Sequence, residues 1–72
     1  MNRNQALRVH VGDSVEPDPL WNKSERERKL PPSVKVLEIQ NAAGSQTGVL
    51  WRVRFLTGGE AWLDAGWFLR KV

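Results

Sequence analysis

Apolar residues in this chain come in short runs separated by turn residues, a pattern that predicts strands and leaves no room for a long helix. Leu7, Val9 and Val11 alternate with polar neighbours and predict a first strand, which Gly12 and Asp13 then bend or bulge into Ser14–Val15–Glu16. In Val34–Ile39, the second predicted strand, Val34 and Val36 fall on one face while Leu37 and Ile39 fall on the other. Two geometries satisfy that split: a strongly bent strand that buries both faces, or a bulge. Asn41–Gly48 is small and polar and predicts a hairpin connection, followed by a third strand at Val49–Leu56 and a fourth at Glu60–Leu63. Asp64–Trp67 predicts a tight turn of 3₁₀ type before a last strand at Phe68–Val72.

Strand register around Thr57–Gly58–Gly59 follows from which face stays apolar. A two-residue Gly–Gly turn sets Val53 opposite Asp64, placing a carboxylate among Trp51, Val53 and Phe55. A three-residue loop with Gly59 left-handed sets Phe55 opposite Ala61 and Val53 opposite Leu63, so one face is wholly apolar. That register lays Arg54 against Trp62 and Arg52 against Asp64 on the outer face. The expected fold is therefore all-β, an SH3-like five-stranded small barrel with a long first loop over 17–32 and a short 3₁₀ turn before the last strand. An OB-like barrel is the alternative, but it usually needs a longer chain and a helix between strands.

Length makes this one domain with a marginal core: 72 residues, read as a flexible terminus over 1–6 and a single domain over 7–72. The absence of cysteine excludes disulfides, thiolate metal sites and a cysteine nucleophile. Eleven basic against eight acidic side chains give net +3, a mild bias towards acidic or polyanionic partners. The polar start has no apolar signal core, and runs such as Val49–Trp51 are too short to span a bilayer. A cytoplasmic protein without membrane attachment is expected, of a size that suits a bacterial or phage accessory protein.

From Val11 onward the chain resembles the Tudor-like, SH3-fold domain at the carboxyl end of UvrD/PcrA-type helicases. The likeness rests on Val11–Gly–Asp–Ser–Val15, Val34–Ile39, Trp51–Arg–Val–Arg–Phe55 before a glycine turn, and Ala61–Trp–Leu–Asp–Ala–Gly–Trp–Phe–Leu–Arg–Lys–Val72. It implies a docking module for other proteins, RNA polymerase among them, with nucleic acid as a further contact. The Pro17–Pro32 stretch departs from it, since that family usually has a short glycine-bearing turn there. A looser likeness to type II dihydrofolate reductases lacks their pore-lining strand motif and carries no activity over; an oligomeric enzyme with a pore-shaped site is the third reading.

Candidate chemistry is sparse. His10 has no serine or carboxylate at a recognised catalytic spacing, and Asp13 reads as a turn former, so no catalytic residue is assigned. Scattered carboxylates with one histidine supply no metal site, and no glycine-rich loop opens a helix, so no cofactor is expected. Binding chemistry is better represented. Trp51 and Trp67 read as core, whereas Trp62 falls outside beside an arginine, either as an anchor or covered by Leu20 or Trp21 of the long loop. Arg52 and Arg54 share that outer face. Lys23, Arg26, Arg28 and Lys29 are interleaved with Glu25 and Glu27, reading as a solvated loop or a phosphate contact. The expected site is Trp21, Arg26, Arg28, Arg52, Arg54 and Trp62. Its expected function is non-catalytic docking onto a protein partner with an acidic surface, the alternative being nucleic-acid binding through the same face.

Overall fold

The computed structural model describes residues 1–20 and 29–72. It is mostly β: two three-stranded antiparallel sheets, ordered β2–β1–β6 and β3–β4–β5. The strands are β1 (Ser14–Pro17), β2 (Val34–Lys35), β3 (Glu38–Asn41), β4 (Val49–Arg54), β5 (Glu60–Asp64) and β6 (Phe68–Lys71). A 3₁₀ turn over Ala65–Trp67 separates β5 from β6, where the sequence predicts it. Trp51, Phe68, Val15, Val34, Val36, Val49 and Val53 fill the core between the sheets.

The two halves of the second predicted strand join different sheets. Val34 pairs with Val15 of β1, and the Val36 amide still donates to Asp13. One residue on, the Leu37 amide donates to the Arg52 carbonyl, although Glu38 is the residue opposite Arg52. Two residues of one strand thus face one residue of the other, which is how a bulge bends a strand. The face parity changes between Val36 and Leu37, so all four aliphatic residues can point inward in turn. Bend and bulge are one feature here, and Ile39 stays 38% exposed at its far end.

Leu7–Val11 is not a strand. Residues 1–6, expected as a flexible lead-in, hold a turn of helix instead, α1 (Arg3–Ala6). Asn2 caps it by accepting from the Gln5 amide at 2.9 Å, while the Gln5 side chain accepts from the Asn2 amide at 2.9 Å. This reciprocal capping box satisfies two donors that would otherwise be left over at a helix start. Successive turn bonds then carry the chain through Val9. Ala6 and Val9 are buried while Leu7 and Val11 are exposed, the spacing of a turn rather than of a strand. The Met1 amine donates to the Phe68 carbonyl at 2.6 Å, and Arg3 Nη1 to the Thr47 carbonyl at 3.0 Å, fixing α1 over the seam between the sheets.

The β4–β5 hairpin has a three-residue loop, as expected, but displaced by one position. Its loop is Leu56–Thr57–Gly58, closed by Phe55 N–H to the Gly59 carbonyl at 2.7 Å. Gly58, with φ 97°, is the left-handed residue; Gly59 is not. Moving the loop back by one residue shifts the pairing by two, so the faces are kept while the partners change. Val53 stands opposite Ala61 and Trp51 opposite Leu63, giving the apolar inner face.

Of the long loop, Leu20 is 78% exposed, whereas Leu30 is in the core at 1% exposure. Trp21, Arg26 and Arg28 lie outside the described residues. Among the described residues, no helix is long and apolar enough to cross a membrane.

Candidate functional site

The outer face of β3–β4–β5 carries the residues that alternation sends away from Trp51 and Val53. Its rows across the sheet are Gln40, Leu50 and Asp64; Glu38, Arg52 and Trp62; then Arg54 and Glu60. Three of the six expected site residues, Arg52, Arg54 and Trp62, are brought together here. The partners differ from those expected. Arg52, not Arg54, stands opposite Trp62, and Asp64 stands opposite Leu50 with its carboxylate bonded to Thr47 and Gly66.

Glutamates engage both arginines. Arg52 Nη2 is 2.7 Å from Glu38 Oε1, and its Nε is 3.7 Å from Glu60 Oε1. That Nε is buried and has no hydrogen-bond partner among the described residues. Arg54 holds Glu60 through Nη2 at 2.7 Å and Nε at 3.3 Å. Its hydrogen bond holds the Glu60 carboxyl below the usual carboxylate range, with Arg52 adding to the effect. Two arginines face two glutamates, so the ladder is electrically balanced. Trp62, 39% exposed, is the large aromatic standing beside it.

Asp64 does different work from that expected. Burial pushes its carboxyl up, but hydrogen bonds from the Gly66 amide, the Thr47 hydroxyl and amide, and Ser45 outweigh this and hold it low. The Gly66 amide lies 2.7 Å from Oδ1 and the Thr47 hydroxyl 2.8 Å from the same oxygen. Asp64 is thereby the cap of the 3₁₀ turn.

Elsewhere the chemistry is structural. Asp13 Oδ2 accepts the His10 amide at 2.8 Å and lies 3.2 Å from Lys71 Nζ; the amide bond and then the lysine hold its carboxyl low. The His10 ring is largely exposed, 3.8 Å from the same oxygen. Among the described residues no group of three or more acidic or histidine side chains is placed to hold a metal ion.

Sequence reasoning missed the pairing role of Glu38 and Glu60, because each depends on register and not on local spacing. It also missed a groove beside Lys35, Leu37 and Leu56, whose residues come from segments distant in the chain. No family model, curated protein or solved structure matches the chain.

Proposed function

We propose that this chain is a non-catalytic, SH3-like binding module that docks onto a protein partner through the outer face of β3–β4–β5. The SH3-like reading is supported by the strand orders, by one bent strand shared between both sheets, and by the 3₁₀ turn before the last strand. The carrying observation is Trp62, part-exposed on a face whose arginines are already paired with glutamates. A phosphate backbone is held by cations free to release counterions, and here it must compete with Glu38 and Glu60. A protein partner needs only a central aromatic to desolvate and a polar rim to orient it, which this face supplies. The Tudor-like resemblance makes an acidic surface of the transcription machinery the first partner to test.

The test is capture of a partner by the wild-type chain and by Trp62→Ala, each with and without nuclease. A nuclease-resistant partner lost with Trp62→Ala is expected, the loss being about 2 kcal/mol or more of binding. Nuclease-sensitive capture, with affinity falling steeply with salt at about −0.7 to −0.9 log units per phosphate contacted, would establish the nucleic-acid reading instead.

A further inference from the structure

A groove of about 350 Å³ lies between β2 and the tip of the β4–β5 hairpin. Pro31, Val34, Leu37, Phe55 and Leu56 form its walls, and Lys35 and Arg54 are the charged residues of its lining. This volume is within the range of roughly 300–1,000 Å³ typical of ligand sites. Leu56 is 60% exposed, an unusual position for leucine on the wall of a concavity. Three backbone donors of the lining are already used: Leu37 N–H by Arg52, Phe55 N–H by Gly59, and Leu56 N–H by Lys29.

Of the two cations in the lining, Arg54 is already held by Glu60 through Nη2 and Nε, which leaves Lys35 as the charge open to a partner. Lys35 is exposed and has no ion pair among the described residues, whereas Arg52, Arg54, Arg70 and Lys71 all have one. Apart from the cations, the lining side chains have no hydrogen-bonding group. A nucleobase seated there would find no side-chain acceptor for its amino and imino groups, while an aliphatic or phenyl side chain would leave nothing unpaired.

We propose that this groove docks a short acidic segment of a protein partner. One large apolar side chain seats against Leu37, Phe55 and Leu56, and a flanking carboxylate meets Lys35. The site does not require Trp62, which is not among its lining residues.

The test is a ¹H–¹⁵N titration of the full chain with the capped peptide DDLFDD, with KKLFKK as control. DDLFDD is expected to shift the amides of Lys35, Leu37, Phe55 and Leu56, and KKLFKK to leave them in place. Lys35→Glu, at an exposed position, should weaken DDLFDD by about tenfold or more with an otherwise native spectrum. Leu56→Glu should abolish the shifts in the same way. Shifts confined to the Trp62 face would overturn the groove while leaving the Trp62 surface standing. Silence at millimolar peptide, equal binding of KKLFKK, or stronger shifts of the groove amides by a single-stranded oligonucleotide would each overturn it too.

Discussion

The Thr47 hydroxyl donates to Asp64 Oδ1 at 2.8 Å, tying the end of the β3–β4 connection to the start of the 3₁₀ turn. Thr47 is the buried polar residue of the described core, and its amide reaches the other oxygen of the same carboxylate at 3.2 Å. One side chain thus closes two turns at once.

Asp64→Ala removes the acceptor for these donors and for the Gly66 amide, and should destabilise the fold by about 1–3 kcal/mol. The folded carboxyl lies below its ordinary value of 3.8. Its stabilisation is therefore complete above that value and is lost as pH falls through the lower folded one. Urea midpoints at neutral pH and at about pH 2.5 should show a smaller acid loss in Asp64→Ala than in the wild type. An equal loss in both would remove Asp64 from the acid response.

Gly58 and Gly59 are adjacent and chemically identical, yet substitution should separate them. Valine at Gly58 must adopt a positive φ and should cost about 1–3 kcal/mol. Gly59→Ala meets no such demand, since an added Cβ reaches only Phe55 Cδ2 at an ordinary 4.0 Å. Its melting temperature should fall much less than that of Gly58→Val.

Gly48 combines a left-handed φ of 76° with the Arg3 guanidinium lying where a Cβ would stand. Gly48→Ala should therefore carry both backbone strain and a steric term. Arg3→Ala removes the second alone, so the double variant should be less destabilised than the two single changes summed. Additive melting data would show that Arg3 yields freely.

Arg52→Glu places a third carboxylate between Glu38 and Glu60. Like charges directly opposite one another on a sheet are destabilising, so its melting temperature should drop by several degrees at low salt and recover partly at high salt. Arg52→Gln should fall less. The outer face is thus part of the fold's electrostatics, and binding measurements on Arg52 variants need a parallel stability measurement.

Alternation made most of the sheet content legible, because period two places Trp51 and Val53 inward whatever the turn. The face assignment of β4 and β5 survived a displaced loop for the same reason: the pairing moved by two residues, and parity is blind to that. Partner identity is not, and so Arg54 stands opposite Glu60 where the expected register pairs it with Trp62. The bent strand was visible as apolar residues on both faces at Val34–Ile39. The helix at Arg3–Ala6 has a sequence signal, Asn2 and Gln5 at capping-box spacing, but Leu7, Val9 and Val11 carry a competing period-two pattern. Leu30, between Lys29 and Pro31, gave no periodic signal at all.

Pairing of β1 with β6 joins residues from opposite ends of the sequence, with Glu16 opposite Arg70 and the Val72 amide donating to the Ser14 carbonyl. By contrast, β3, β4 and β5 are consecutive and meet through short connections. Closing the long span costs chain entropy before any of its contacts form, so the meander is the natural nucleus and the β1–β6 ladder the late step. A chain emerging from the ribosome can assemble the Trp62 face early but cannot pair Val15 with Lys71 until β6 has emerged. During that interval the apolar side of the meander is the surface a chaperone would meet.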